Sequence, residues 1–224
     1  MGSRKIPFSV DEHFHCYTRG IDKRITFQDE QDYERFIETL YVCNDISRFN
    51  RDDHLSASHV EILQPERLKP LVEVLAYCLM PNHFHLVLKE ITEGGISLYM
   101  QRVGTMYTMY FNTRNNRVGG LFVGPFRAKH IDTDIYLKHV IQYTHLNPLE
   151  FYMPDWKQGV GTYSPLLEKK LMQYTYSSLP EYNGIKRVQK NVLTMKAVES
   201  LYDSLPSLSE SISAAAEYYK NLAF

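Results

Sequence analysis

The strongest constraint on how this chain folds is a pair of apolar runs, Leu71–Leu79 and His83–Lys89, separated only by Met80-Pro81-Asn82. Runs of strand length, rich in Val, Leu and aromatic residues and split by a Pro-Asn turn, predict a β-hairpin. Strand side chains alternate between the two faces of a sheet. His83 and His85 are therefore expected on one face and Phe84 on the other. Two imidazoles side by side on a rigid strand are candidate metal ligands. A second triplet of the same form, His13-Phe14-His15, sits at the start of an earlier strand-like run and competes for that role.

The flanking chain predicts the rest of a small fold. Residues 13–18 read as a first strand, closed by Arg19-Gly20. Asp29 is a candidate N-cap for a helix over 30–45, with Phe36, Ile37, Leu40 and Tyr41 on one face. Residues 47–69 are polar and irregular and predict a loop with a short helix. After Gly94-Gly95, the spacing of Ile96, Met100, Val103, Tyr107, Tyr110 and Phe111 predicts a helix over 96–113. Residues 121–131 predict a fourth strand, and 134–147 a helix that stops at Asn147-Pro148 because the residue before proline avoids the α region. The order β-α-β-β-α-β, then α, predicts an α+β fold: a ferredoxin-like antiparallel sheet with helices packed on one face. Residues 1–150 would form this unit. Residues 151–224 would form an extension packed on it, loop-rich at first and helical over 191–203 and 208–222.

Composition excludes several classes of function. The apolar runs fall short of the ~20 residues that span a bilayer, and Arg4 and Lys5 are followed by no apolar signal segment. Cys16, Cys43 and Cys78 are scattered without a Cys-x-x-Cys, so neither a disulfide framework nor a zinc ribbon is expected, and a reducing cytoplasm is the expected compartment. The net charge of −1 does not advertise a polyanion partner; its distribution says more, although ordinary solvated positions with the acids lying elsewhere would give the same pattern. From Gly94 to Ile131 there is no Asp or Glu, while Arg102, Arg114, Arg117, Arg127 and Lys129 all fall there. A locally basic surface can hold phosphate in a chain that is neutral as a whole.

Residues four apart share a helix face, so His139, Tyr143 and Asn147 form a ladder beside the apolar stripe Leu137, Val140, Ile141 and Thr144. Tyr143 is expected at the border of the core, where a phenol is both positioned and accessible. Asn147 carries a carbonyl oxygen, a hard donor suited to Mg²⁺ or Mn²⁺. His145 points away from Tyr143 by helical phase and is expected at the surface. Tyr107, Tyr110, Phe122, Phe126 and Cys78 are expected to pack, with the two phenylalanines also able to stack on nucleotides.

At this level of detail the chain resembles the REP-associated tyrosine transposases and the related single-tyrosine, insertion-sequence-200-like transposases. The matching segments are His15-Cys16-Tyr17-Thr18-Arg19-Gly20, the strand from Tyr77 to Leu88 with its Met-Pro-Asn lead-in, and Tyr110-Phe111-Asn112 through Gly120-Leu121-Phe122. Tyr143-Thr144-His145-Leu146-Asn147-Pro148 and the downstream Tyr176-Ser177-Ser178 with Tyr182-Asn183-Gly184 complete the series. The chain departs from the pattern at Gly124-Pro125-Phe126-Arg127, where relatives carry an arginine directly after the glycine.

The resemblance implies a metal-assisted DNA strand transferase that cleaves and rejoins single-stranded DNA near hairpins. His83 and His85 would be metal ligands, Asn147 a third ligand with His139 as its rival, and Tyr143 the nucleophile that forms a covalent 5′-phosphotyrosine. The cofactor would be Mg²⁺ or Mn²⁺, because an ordinary phenol, with a pKa of about 10, needs a cation to polarise the scissile phosphate. The DNA contacts would come from Arg102, Arg114, Arg117, Arg127 and Lys129. Both a homodimer and a monomer fit the resemblance. The alternative function is a non-catalytic module, derived from such an enzyme, that binds hairpin DNA or RNA. A relaxase-type nuclease would share the histidine pair, but larger size and a helicase domain are expected there.

Overall fold

The computed structural model describes residues 7–47, 58–64, 69–156, 164–202, 209–212 and 214. Strands β1 (His13–Arg19), β2 (Val72–Met80), β3 (His83–Glu90) and β4 (Arg127–Ile131) form one antiparallel sheet in the order β2-β3-β1-β4. Helix α1 (Glu30–Val42) links β1 to β2, with the short α2 (His59–Ile62) between them, and α3 (Gly95–Arg114) links β3 to β4. This is the ferredoxin-like α+β arrangement that the hydrophobic periodicity predicts. Helix α4 (Asp134–Leu146) follows β4.

The hairpin closes through a tight turn at Pro81-Asn82, so that Met80 faces His83. Alternation then sorts the strands into two faces. On one, Phe14, Cys16, Phe84, Leu86 and Leu88 pack against Phe36, Leu40, Val103 and Tyr107 of α1 and α3. Each such fully buried side chain stabilises the fold by about 1.5–3 kcal/mol relative to exposure. On the other face, Leu75, Ala76, Val87 and Ile131 pack against Leu137, Val140 and Ile141 of α4. The helices are thus not all on one face, as the sequence suggested: α4 covers the side opposite α1 and α3. A bulge between Val74 and Ala76 shifts the alternation of β2 by one residue, so that Val72 and Val74 before it and Tyr77 and Leu79 after it share the α1/α3 core.

Helix ends follow local chemistry. The Asp29 side chain accepts the Asp32 N–H and caps α1. The Thr133 hydroxyl caps α4 in the same way. At α3 the cap comes from the sheet, where the buried Glu90 carboxylate accepts from the N–H groups of Gly94 (2.9 Å) and Ile96 (3.0 Å). A negative charge suits the positive end of a helix dipole, which is why a buried glutamate is tolerated here. Gly94 has φ 72, and a Cβ on Gly95 would lie 2.3 Å from the Leu71 carbonyl oxygen, so both glycines are required.

Three sequence expectations change. The fourth strand begins at Arg127 and not at 121, because Gly124 is left-handed (φ 55) and Pro125 has no N–H to add to a ladder. Pro148 does not end helical structure: a 3₁₀ turn, Asn147–Phe151, continues directly from α4. His145 is buried, not on the surface. Helical phase does turn it away from Tyr143, but that side is covered by the chain around Ser178 and Tyr182. His145 Nε2 meets the Ser178 hydroxyl at 2.8 Å, and that hydroxyl also accepts the Tyr77 N–H at 2.9 Å. The same segment pairs with the outer edge of β2, with Leu79 N–H donating to Tyr176 and Ser178 N–H donating to Tyr77. Thr194 N–H then reaches Val74. An edge that is otherwise open to another chain is thereby covered.

Beyond this segment, helices α5 (Pro165–Met172), α6 (Leu179–Tyr182) and α7 (Met195–Leu201) complete the named elements. The predicted helix over 208–222 lies largely outside the described residues. Among the described residues no helix is long and apolar enough to cross a membrane.

Two stability predictions arise from this packing. Arg114, at the end of α3, reaches the Asp29 carboxylate (2.9 Å) and the fully buried Asp32 carboxylate. Arg114→Ala leaves Asp32 without its cation and is expected to cost roughly 2–3 kcal/mol in urea unfolding; an unchanged midpoint would refute the clamp. Burial holds the His145 imidazole at a pKa of about 3, down from 6.5. Its unfolded form gains a proton below pH 6.5 and its folded form does not, so stability falls as pH drops from 6.5 towards 3 and is unaffected above that window. Between pH 5.5 and 4 the wild type should lose about 1.4 kcal/mol per pH unit more than His145→Gln. Equal slopes would mean that the folded protein protonates this ring.

Candidate active site

The face of the sheet under α4 is apolar at Leu75, Ala76 and Val87 and turns polar towards the hairpin end, at His85 and His83. The register of β1 against β3 places Tyr17 opposite His85 and Arg19 opposite His83, with all four side chains on that face. Where α4 no longer covers the sheet, a cleft of about 320 Å³ opens, lined by Tyr17, Thr18, Arg19, His83, His85, Val123, Arg127 and Tyr143.

Each histidine has a defined neighbour. His83 Nδ1 lies 2.7 Å from the Asn82 side-chain oxygen, an acceptor for a proton on that nitrogen. His85 Nδ1 lies 2.8 Å from His15 Nε2, with the two rings tilted by only 24°. Burial and the nearby Lys129 lower the pKa of His15 to about 4, so it is neutral at ordinary pH. The twin triplet thus divides. His15 adjoins the His83/His85 pair from the neighbouring strand, and His13 lies at the far end of β1, opposite Lys89.

Tyr143 is half-buried on α4. Its ring stands edge-on to His85 (centroids 5.4 Å, 82°) and to His15 (5.8 Å, 79°), and its back is stacked on Trp156. The helix therefore delivers a phenol onto the imidazole pair, and Trp156 limits its sideways freedom. Asn147 is fully buried and is not among the cleft-lining residues. Its amide nitrogen donates to the Tyr143 carbonyl at 2.8 Å, and its Oδ1 is buried with no hydrogen-bond partner among the described residues. His139 is half-buried one turn before Tyr143 and does not line the cleft. Among the described residues, no three His, Cys, Asp or Glu side chains converge as a closed metal cluster. The two imidazoles of His83 and His85 are donors suited to an open site that exogenous oxygens complete, and the unpartnered Oδ1 of Asn147 is a further oxygen donor on the helix that carries Tyr143.

The basic residues separate sharply. Arg127 lines the cleft, and Lys129 lies on the same strand with its ammonium over the Tyr136 ring. Arg114 is the clamp on Asp29 and Asp32. Arg102 donates to the carbonyls of Asp45 and Ile46, and Arg117 to Asn112. These three hold the α1–α3 layer and the turn after α3, away from the cleft. Phe122 and Phe126 are partly buried against the main core.

Tyr17 and Arg19 are cleft residues that sequence reasoning did not single out. Their signal was present, since alternation puts Tyr17 and Arg19 on the face opposite Phe14 and Cys16, but it is readable only once β1 is known to pair with β3.

No family model matches the chain, and no curated protein matches it. One solved structure similar to it is that of a REP-associated tyrosine transposase bound to a REP hairpin, with a TM-score of 0.53 and 11% identity over 84% of this chain and 90% of that one. That likeness is one of fold.

Proposed function

We propose that this chain is a single-tyrosine DNA strand transferase that cleaves and rejoins single-stranded DNA beside hairpins, with Mg²⁺ or Mn²⁺ as cofactor. The observation that carries this reading is the approach of Tyr143 to His85 over a cleft that also holds His83, Arg19 and Arg127. The similarity in fold to a transposase solved with a hairpin supports the substrate class.

In this reading the Tyr143 phenol loses its proton and attacks the scissile phosphorus. A P–O bond to tyrosine forms, the P–O3′ bond breaks, and the departing O3′ takes a proton to become a free 3′-OH. A second 3′-OH then attacks the phosphotyrosine, restoring a phosphodiester and the phenol, so no external energy source is needed. A cation held by His83 and His85 would polarise the phosphate and neutralise developing charge. The buried, unpartnered Oδ1 makes Asn147 the candidate third protein donor. Arg19 and Arg127 would hold the flanking backbone, and Trp156 behind the ring would keep the phenol aimed.

The decisive experiment incubates a labelled hairpin oligonucleotide with the protein and Mn²⁺. Wild type and Tyr17→Phe should form a covalent adduct that survives denaturation, and Tyr143→Phe should form none. An adduct that persists in Tyr143→Phe and vanishes in Tyr17→Phe would move the nucleophile across the cleft. Tight hairpin binding with no adduct under Mg²⁺ or Mn²⁺ would identify a binding module instead. Phosphate contacts have a separate signature in salt. Removing Arg19 and Arg127 together should lower the slope of log affinity against log salt by about 2, while Arg102→Ala should leave that slope unchanged.

A further inference from the structure

We propose that His15 is the positioning residue of the site: its Nε2 accepts the Nδ1–H of His85 and so fixes which nitrogen His85 presents to a cation. This inference rests on the reading of His83 and His85 as ligands, and it assigns a role to the half of the twin triplet that this reading leaves unused.

The geometry points to it in three ways. His15 is not the direct cross-strand partner of His85, which is Tyr17; it is the diagonal neighbour, two residues along β1. From there its ring lies close to parallel with that of His85, with centroids 5.0 Å apart and the two nitrogens 2.8 Å apart. The contact is also built and not incidental, because both His15 and His85 are buried. Finally, Asn82 does the same for His83, at the same ring atom. Both candidate ligands thus have a fixed partner at Nδ1.

The proton count makes the consequence specific. A 2.8 Å contact between two ring nitrogens holds one proton between them. If His85 Nδ1 holds that proton, His85 Nε2 is a lone-pair donor and can ligate. If His15 Nε2 holds it, His85 carries its own proton on Nε2 and cannot. Ligation through Nε2 therefore requires the first arrangement, in which His15 accepts at Nε2 and is protonated on Nδ1. An imidazole acceptor in this place also differs from the carboxylate that often backs a ligating histidine. It orients His85 without adding negative charge beside an incoming phosphate.

The test uses the full chain without DNA. Wild type, His15→Gln and His15→Phe are titrated with Mn²⁺ by calorimetry, with His83→Ala as the control for the site and thermal melts as the control for folding. Glutamine places an acceptor oxygen near the position of Nε2, whereas phenylalanine fills the volume without one. His15→Phe should weaken Mn²⁺ binding by about 10- to 100-fold, and His15→Gln should restore most of it. Equal affinity in wild type and His15→Phe would overturn the proposal. The tautomer is read independently from two-bond ¹H–¹⁵N correlations in the metal-free wild type. A proton on His85 Nδ1 is expected, and one on Nε2 would overturn the proposal without any variant. If Mn²⁺ binds nowhere, or binds equally to His83→Ala, the ligand reading itself fails. The tautomer measurement still decides whether His15 sets the ring.

Discussion

The pairing of β1 with β3 is the interaction on which the rest of the site depends. Its register sets Tyr17 beside His85 and Arg19 beside His83, and brings His15 diagonally within hydrogen-bonding distance of His85. A slip of one residue would turn every β1 side chain to the opposite face. Phe14 and Cys16 would leave the core under α1 and α3, and the histidine would enter it. The register is therefore held by hydrophobic burial on one face, and the polar constellation on the other face is carried along. The site is rigid because the core behind it is.

The second constraint is the two-sided use of the sheet. Helices α1 and α3 seal one face, and α4 lies across only part of the other. Its apolar stripe, Leu137, Val140 and Ile141, anchors it over Leu75, Ala76 and Val87, and its C-terminal half carries Tyr143 past the covered region to the histidines. The segment from 174 to 194 contributes from a distance. It closes the β2 edge and buries His145 behind α4, fixing the helix that carries the phenol.

Charge is distributed by the same economy of positions. The stretch without acids suggested a basic patch, yet its members have separate partners. Arg114 neutralises a buried aspartate, Arg102 and Arg117 satisfy carbonyl and amide oxygens, and Arg127 alone of the five reaches the cleft. A guanidinium near buried carboxylates or orphaned carbonyls is drawn to them. Which arginines face solvent is therefore decided by what the fold leaves unsatisfied.

Much of the fold was legible in local pattern: the hairpin, the α1 cap at Asp29, the apolar spacing of α3 and the element order all arise from interactions within a few residues. The shared face of His83 and His85 was legible for the same reason, because alternation is a property of a single strand. The position of Tyr143 at the border of the core was legible from helical phase. The sequence alone did not determine where the phenol meets the imidazoles, that His15 belongs with His85, that Tyr17 and Arg19 line the cleft, or that His145 is buried under a later segment. Each of these depends on contacts between residues far apart in the chain. Local periodicity says which way a side chain points along its own element, but only the packed sheet and helices decide what stands opposite it.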